Sequence, residues 1–532
     1  MTGRLVLRDR QQWSPNTMVS TGHQAATFAA LDVMSEGGNV FDAVITASAV
    51  MTVALPMSCG LAGDASALLY EGASGRTISF TSLGRAPATA NPATFRRLGL
   101  SDIPVRGALS WVTPAMADAW FALQQRCGSR PLSRLLQPAI DLARHGLVVS
   151  SQFSRWTAEN IGFLQQPQLI DLYSPAIEGT GTIIRQSALA NCYERLATMS
   201  RDDFYATLGE EVAAVSGQYG GLLTADDSMA PHEQFENPAK AVIGNRTVMV
   251  TGAPTQGPLL LQNLLLFERS TTQEGISPTS ALGIHLLGEI VNQTFGWRVA
   301  NWHAPEVGPG PDPLNETVLE ALLSRIDTNR RSASACTRSY SEGDTTHMVL
   351  VDDEGNAVSW VQSLGLGFGS GLGLPDLGIL LSNRLGRSAT LNVDDPNGPR
   401  PSARPVNTIF PWFVADGSGL RHLGGTPGGD GQCQWNTQVI ASLLFDGASV
   451  LEALSQPRWT YFPGGDKTEH SRAEQLHVTS DLSPASIEEL RRRGHDVVVK
   501  AGLGGIMRVL EILPEGRYGL DDGCQEGLTA GR

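Results

Sequence analysis

The pattern of apolar and polar residues predicts several amphipathic or buried helices. Residues 23–36 have helical spacing and end at a glycine pair, after which Asn39 is a typical N-cap for a second helix over about 40–55. Residues 132–144 place five apolar side chains on one helical face, and residues 282–300 form another long helical pattern. The uncharged stretch that begins in the second helix is broken by proline and glycine, so a buried core helix is favoured over a membrane span.

Strand-like runs occur both early in the chain and after residue 345. Runs at 66–70 and 77–80 flank a glycine-containing turn, and runs at 348–351 and 357–361 predict a second hairpin. Glycine then occupies every second position over 365–373. This spacing permits close backbone approach and positive φ, and it is interpreted as a substrate-facing loop.

Composition and charge limit the class of protein and its partners. The chain has 532 residues, 41% hydrophobic and 17% charged, which indicates a well-buried globular protein of two lobes or one large layered unit. The net charge of −14 leaves no basic surplus for nucleic acid or an anionic membrane. Six scattered cysteines and an N-terminus without an apolar leader pattern predict reduced thiols and a cytoplasmic location.

Several standard site patterns are missing from the sequence. It contains no phosphate-binding G-x-x-x-x-G-K-[ST] loop, no H-E-x-x-H zinc motif and no G-x-S-x-G nucleophile elbow. Neither the cysteines nor the ten histidines pair at metal-ligand spacing. We therefore expect chemistry that uses no metal and no cofactor.

The candidate nucleophile is Thr345, within the stretch Gly-Asp-Thr-Thr-His at 343–347. A threonine hydroxyl needs an adjacent base, and an α-amine with a pKa of about 7.7–8 can serve if the threonine begins a chain. Since Thr345 is internal, this hypothesis requires cleavage of the bond between Asp344 and Thr345. The alternative is a simple turn that leads into a strand.

Other residues could assist such a threonine. Ser363, at the end of the second strand, could bond Thr345 if the two strands pair. Gly428 and Gly429 offer consecutive backbone N–H groups of the kind that form an oxyanion hole. Arg384 and Arg387 could hold a substrate carboxylate, although a solvent-exposed basic turn is an equally good interpretation.

Nine short stretches match a known pattern and run in order over nearly the whole chain. They lie at 37–43, 86–88, 138–146, 220–224, 345–347, 355–359, 368–371, 378–383 and 427–429. Through these stretches the chain resembles the γ-glutamyltransferase family of N-terminal-nucleophile (Ntn) hydrolases.

This resemblance implies an α+β protein with a four-layer αββα sandwich, made as a self-cleaving precursor. Cleavage before Thr345 would give a large subunit, 1–344, and a small subunit, 345–532, that stay together as one interlocked unit. Thr345 would be the nucleophile, with Ser363 as its hydroxyl partner and Gly428 and Gly429 as the oxyanion donors. The candidate substrate-binding residues are Arg384, Arg387, Asn407, Thr408, Thr346 and Arg85.

Departures from the family pattern bear on the substrate. The family's arginine for the glutamate α-carboxylate falls at Leu83, and the asparagine two residues after Ser363 falls at Gly365. The glutamine and aspartate that hold the substrate α-amino group fall at Arg384 and Arg387. Cationic donors would repel a free α-amino group, so the pattern favours a short, anionic amide. The branch that matches best resembles oxamate amidohydrolases of bacterial purine (uric acid) degradation, which convert oxamate to oxalate and ammonia.

Three alternatives stay open at this point. The chain could be a γ-glutamyl hydrolase or transferase acting on glutathione-like substrates, or an acylase acting on a dicarboxylic monoamide. It could also be an uncleaved, non-catalytic binding protein on the same fold. Its expected partners are the small amide and its own cleaved subunit, as an αβ heterodimer that could pair further into a dimer of heterodimers.

Overall fold

Two seven-stranded antiparallel sheets form the centre of the protein. The computed structural model describes residues 7, 9–271, 275–333, 335, 344–392, 395–461, 475–523 and 526–532. The first sheet has the strand order β21-β2-β10-β11-β3-β4-β7, and the second has the order β1-β20-β19-β15-β14-β9-β8. The strands are Gln12–Ser14 (β1), Met18–Thr21 (β2), Asp64–Glu71 (β3), Arg76–Ser82 (β4), Leu147–Val148 (β5), Ile183–Ile184 (β6), Glu233–Glu236 (β7), Ala239–Ile243 (β8), Arg246–Val250 (β9), Asp344–Val351 (β10), Ala357–Gly365 (β11), Gly373–Leu374 (β12), Ile379–Leu380 (β13), Trp412–Asp416 (β14), Gly419–Gly425 (β15), Trp459–Tyr461 (β16), Leu476–Thr479 (β17), Val497–Lys500 (β18), Arg508–Leu513 (β19), Gly516–Asp521 (β20) and Leu528–Gly531 (β21).

Helices cover the outer face of each sheet. The α-helices are Gln24–Ser35 (α1), Val40–Ala54 (α2), Pro92–Arg97 (α3), Met116–Cys127 (α4), Leu132–His145 (α5), Ser151–Asn160 (α6), Pro167–Tyr173 (α7), Ser187–Thr198 (α8), Arg201–Gln218 (α9), Gly257–Thr271 (α10), Ala281–Asn301 (α11), Glu316–Leu323 (α12), Arg384–Ser388 (α13), Gly431–Phe445 (α14), Val450–Ser455 (α15) and Pro484–Arg492 (α16). Among the described residues, no helix combines the length and the apolar character needed to cross a bilayer.

Strand β10 shows how the layers are held together. Its side chains alternate, so that Met348 and Leu350 join the core beneath the helices of the first sheet, while Val349 and Val351 join the core between the two sheets. Burying each such apolar side chain contributes roughly 1.5–3 kcal/mol. Because helices cover one face of this sheet and the second sheet covers the other, the sequences of β10 and β11 are nearly continuous apolar runs. The arrangement is the expected four-layer αββα sandwich.

Helix α2 accounts for the uncharged early segment. Asn39 and Asp42 form a capping box at its start, and every residue of Val40–Ala54 is buried. The segment is thus a core helix, as predicted. The other predicted helices and strands are also present, with ends shifted by a few residues. Such shifts are expected because sequence propensity does not define the last residue of an element.

The glycine-rich stretch after β11 corrects one expectation. A Cβ built on Gly369 would lie 2.2 Å from the Leu381 carbonyl oxygen, and one on Gly371 would lie 2.0 Å from that of Phe163. Glycine is needed at these two positions because other segments of the protein backbone pack closely against them. The prediction that the alternating glycines face a substrate does not explain them.

Candidate active site

A break in the β10–β11 register marks the candidate nucleophile. Asp344 pairs with Gly365, whereas Thr346 pairs with Gln362, so β11 has a bulge in which Ser363 and Leu364 lie opposite the single residue Thr345. Bulges of this kind re-aim a side chain and are common beside active sites. The Thr345 hydroxyl is buried and donates to the Ser363 Oγ at 3.1 Å, as expected from the predicted hairpin. The preceding residues 336–343 and the side chain of Asp344 lie outside what the structure describes.

Ser363 connects the threonine to a third strand. Its Oγ also accepts the Gly365 N–H at 2.9 Å, and its register partner on β3 is Asp64. Directly paired residues of neighbouring strands point to the same face, so Ser363 and Asp64 share a face of the sheet. The hydrogen bond from Thr345 to Ser363 extends this row to β10.

Asp64, at the end of this row, accepts hydrogen bonds from three donors. Its carboxylate accepts from the Gly84 N–H at 2.8 Å, from Asn407 Nδ2 at 2.9 Å and from Arg384 Nε at 3.3 Å. Both members of the Arg384–Asp64 ion pair are buried. The sequence analysis missed Asp64; the available signal was an acidic residue at the start of an apolar strand run.

Arg387 approaches the same strand ends from helix α13. Its Nη1 donates to the Gly365 carbonyl oxygen at 2.7 Å. Arg384 is 1% exposed and Arg387 is 0% exposed. The interpretation of this segment as a solvent-exposed basic turn is therefore wrong, and both cations lie beside the Thr345–Ser363 pair.

Gly365 occupies a position where a larger residue would be strained and would displace the Asn383 side chain. Its φ is +102°, and a Cβ there would lie 2.2 Å from Asn383 Oδ1. The same Asn383 oxygen accepts the Leu366 N–H at 3.1 Å. An asparagine at this position, as the family pattern has it, would need both a strained backbone and a shift of the Asn383 side chain.

The paired glycines lie in the loop that precedes helix α14. Gly428 has φ +123° and Gly429 has φ +55°, and their carbonyl oxygens accept from the N–H groups of Gly431 and Gln432. The start of a helix carries a partial positive charge, which suits an oxyanion site. Asp430 anchors the loop by accepting from Gln256 Nε2 at 2.9 Å and from Arg298 Nη1 at 2.6 Å. The role of Gly428 and Gly429 as oxyanion donors stays a prediction.

His347 supports the site from the same face of β10. Its Nε2 lies 2.9 Å from the Ser359 Oγ, and Ser359 donates to the Gly424 carbonyl oxygen, so the histidine is the donor to Ser359. Burial, with a smaller contribution from Arg508, holds the pKa of His347 well below its ordinary value. The ring is therefore neutral at pH 7 and packs against Gly425, the last residue of β15.

The remaining predicted site residues fall into three groups. Asn407 belongs to the site through its bond to Asp64. The hydroxyls of Thr346 and Thr408 are buried and make no hydrogen bond within the described part of the chain. Arg85 instead donates to Glu306 Oε1 and to the Ser402 carbonyl oxygen, each at 3.3 Å, so its described contacts do not include the Thr345–Ser363 pair.

Comparison with known proteins identifies the family. The gamma-glutamyltranspeptidase family matches residues 26–531, almost the whole chain. The chain belongs to this family. Membership confirms the predicted family of Ntn hydrolases and the class of enzyme, one that acts on amide C–N bonds.

Individual relatives of this gamma-glutamyltranspeptidase family member carry different names. The chain is 29% identical to the glutathione hydrolase-like YwrD proenzyme of Bacillus subtilis (strain 168), over 91% of this chain and 91% of that protein. It is also 29% identical to the oxamate amidohydrolase proenzyme of Klebsiella pneumoniae, over 97% of this chain and 98% of that protein. The crystal structure of cephalosporin acylase from Bacillus halodurans superposes with a TM-score of 0.87 at 23% identity, covering 98% of this chain and 96% of that one. This likeness confirms the fold.

Proposed function

We propose that this family member is a self-processing threonine amidohydrolase that acts on a small anionic amide, with oxamate as the favoured substrate. The observation that carries the proposal is the 3.1 Å hydrogen bond from the Thr345 hydroxyl to Ser363 at the bulge between β10 and β11. Buried Arg384 and Arg387 beside this pair support an anionic substrate. The proenzyme names of two full-length relatives support self-processing.

Processing would begin in the intact chain. There the Thr345 nitrogen is a peptide amide and is no base. The Thr345 Oγ attacks the Asp344 carbonyl carbon, the peptide C–N bond breaks as its nitrogen takes up a proton, and an ester remains. Water hydrolyses that ester and leaves Asp344 as a carboxylate and Thr345 with a free α-amine. The fragments 1–344 and 345–532 would stay together as a heterodimer, since β10 lies between β2 and β11 in one sheet.

Turnover would use the α-amine that processing releases. The amine accepts the proton of the Thr345 hydroxyl while the oxygen attacks the substrate amide carbon. The N–H groups of Gly428 and Gly429 stabilise the oxyanion, each donor contributing about 2.7–4 kcal/mol in comparable sites. Ammonia leaves with that proton, and water then hydrolyses the acyl ester. With oxamate the products are oxalate and ammonia.

The choice of an anionic amide depends on charge around the nucleophile. Leu83, at the position of the family's carboxylate-binding arginine, is buried in an apolar cluster with Val361 and Ile409. Arg384 and Arg387 stand where the family holds the α-amino group of a glutamyl substrate. A short carboxylate next to the scissile amide matches these donors better than a glutamyl ammonium does.

The second candidate is hydrolysis of a γ-glutamyl compound such as glutathione. It is favoured by the YwrD relative, whose identity of 29% equals that of the oxamate amidohydrolase. Overall identity therefore does not separate the two substrates. A dicarboxylic monoamide acylase is the third, and an uncleaved binding protein is the alternative outside enzyme catalysis.

A denaturing gel tests self-processing. Wild-type protein and the Thr345→Ser variant should separate into two bands with N-termini at residues 1 and 345, because serine keeps the hydroxyl. Thr345→Ala should remain one chain of full length. An uncleaved wild type, or cleavage of Thr345→Ala at the same bond, would overturn the nucleophile assignment.

Ammonia release tests the substrate. The processed protein is given oxamate, glutaramate or glutathione, and ammonia is measured for the first two and free glutamate for the third. Highest kcat/KM on oxamate supports the proposal. Preference for glutathione or for glutaramate selects the second or third candidate, and cleaved protein inactive on all three contradicts the oxamate assignment.

A further inference from the structure

A second cluster of polar side chains lies away from the candidate nucleophile, and we refer to it as the 285/289/495 cluster. His285 and Glu289 are one turn apart on helix α11, and His495 lies between helix α16 and strand β18. All three residues are buried, and one ligand atom from each lies within 4.8 Å of the others. Sequence spacing did not reveal the cluster because His495 joins it only in the folded chain.

Hydrogen bonds orient the three side chains toward one another. The His285 Nε2 lies 2.9 Å from the Asp327 carbonyl oxygen, which can only accept, so the Nδ1 of His285 carries a lone pair. That Nδ1 lies 2.8 Å from the His495 Nε2. A backbone carbonyl that fixes the far nitrogen of a histidine is the usual outer partner in metal sites.

Glu289 presents an unsatisfied oxygen in the same place. Its Oε2 accepts the Ser332 N–H at 3.0 Å. Its Oε1 is buried and has no hydrogen-bond partner within the described part of the chain. An unpaired buried carboxylate oxygen is destabilising unless a cation or a proton compensates it.

We propose that His285, Glu289 and His495 bind a divalent first-row transition metal, zinc foremost. Two imidazoles and one carboxylate are a known zinc ligand set, and they leave one tetrahedral position for water. Zinc–nitrogen bonds of about 2.0–2.1 Å put two ligand nitrogens about 3.3 Å apart, so the two rings need to open slightly. The site is structural, since the described hydrogen bonds of its side chains join them to one another, to Asp327 and to Ser332, and not to Thr345.

The site also joins the two fragments expected from processing. His285 and Glu289 precede residue 345 and His495 follows it, so a bound metal would bridge the large and small subunits. Bonds from Ser332 to Glu289 and from Ala335 to Asn292 hold the segment that leads toward the cleavage point against the same helix. This bridging role rests on the proposed function, whereas metal binding itself does not.

Metal content of the full chain is the test. Wild type and the uncleavable Thr345→Ala variant are stripped with a chelator, incubated with Zn²⁺ and freed of excess metal by gel filtration. Elemental analysis should find about one zinc per wild-type heterodimer and about one per uncleaved Thr345→Ala chain, because the ligand set is complete before cleavage. Co²⁺ in place of Zn²⁺ should give the visible absorption of tetrahedral nitrogen–oxygen coordination.

Ligand variants distinguish this site from other zinc-binding surfaces. Glu289→Gln keeps an acceptor for Ser332, and His495→Gln keeps a polar side chain of similar size; each should weaken zinc binding at least about tenfold. His477→Gln, a buried histidine outside the cluster, should bind zinc as wild type does. Less than about 0.1 zinc per wild-type heterodimer, or unchanged affinity in both ligand variants, would overturn the metal site and leave a hydrogen-bonded histidine pair beside Glu289.

Discussion

The Arg387 guanidinium donates to the carbonyl oxygen of Gly365, 2.7 Å away, and Gly365 is the register partner of Asp344. The buried Arg387 therefore hydrogen-bonds to the residue of β11 that pairs with Asp344, the residue before the proposed cleavage point. The N–H of the same Gly365 donates to Ser363, which accepts from Thr345. One residue thus links the candidate carboxylate-binding cation to the candidate nucleophile.

Replacing either arginine tests carboxylate recognition. Arg387→Lys and Arg384→Lys keep the charge but lose the planar fork, and hydrogen bonds to charged groups contribute about 1.5–3 kcal/mol. We expect kcat/KM for oxamate to fall roughly 10–100-fold in the variant whose arginine binds the carboxylate.

Oxamide, which has an uncharged amide in place of the carboxylate, is the matched control for both variants. Its kcat/KM should change far less than that of oxamate. Equal losses on oxamate and oxamide would assign the arginine a structural role through Gly365 or Asp64 instead of substrate binding.

Removing the hydroxyl of Ser363 tests the partner of the nucleophile. Ser363→Ala loses the acceptor for Thr345 and leaves the Gly365 N–H without that bond. Since one hydrogen bond contributes about 0.5–1.5 kcal/mol, the rate of chain cleavage should fall roughly two- to thirteenfold. Quantified gel bands over time measure this rate.

Ser359→Ala is the control for that change. Ser359 lies on the same strand but bonds His347 and Gly424 instead of Thr345. Its loss should lower stability without slowing cleavage. Equal slowing in both variants would mean that general loosening of β11, and not the Thr345–Ser363 bond, sets the rate.

The glycine at position 365 should be essential for folding stability. Gly365→Ala combines a φ of +102° with a Cβ placed 2.2 Å from Asn383 Oδ1, and we expect the free energy of unfolding to fall by about 3 kcal/mol. Gly99→Ala is the matched control, because Gly99 has φ +80° but no atom within 4 Å of a Cβ.

That control should lose only about 1 kcal/mol, from backbone strain alone. Urea unfolding of both variants in the Thr345→Ala chain measures the difference. Similar losses at the two positions would show that contact with Asn383 contributes nothing.

Stability should fall in acid because of buried His347. The ordinary pKa of 6.5 applies to the unfolded chain, while burial holds the folded value well below it. Above pH 6.5 both states are neutral and the full stability is present; below it only the unfolded state binds the proton. The free energy of unfolding should therefore decrease as pH falls from about 6.5 to 5, by up to about 1.4 kcal/mol per pH unit for this residue.

Urea unfolding of the Thr345→Ala chain at several pH values, with and without His347→Gln, isolates this contribution. Glutamine keeps a donor for Ser359 but does not titrate. The variant should have a shallower dependence on pH over that window. Identical slopes would mean that His347 titrates alike in the folded and unfolded chains.

The sequence alone determined the elements and the family. Helical and two-residue periods located helix α2 and the β10–β11 hairpin because local packing on one face requires those periods. Collinear motifs indicated the αββα fold and placed Thr345 and Ser363 on paired strands. The 3.1 Å bond between them follows from that pairing.

Only the tertiary structure decided how the charged groups are arranged. It buries Arg384 against Asp64 and Arg387 against Gly365, and it keeps the described contacts of Arg85 away from the Thr345–Ser363 pair. It also brings His495 to His285 from 210 residues away. Local periodicity reports which side of an element is apolar, but the partners of a buried charge come from distant segments, so their identity depends on how whole layers pack.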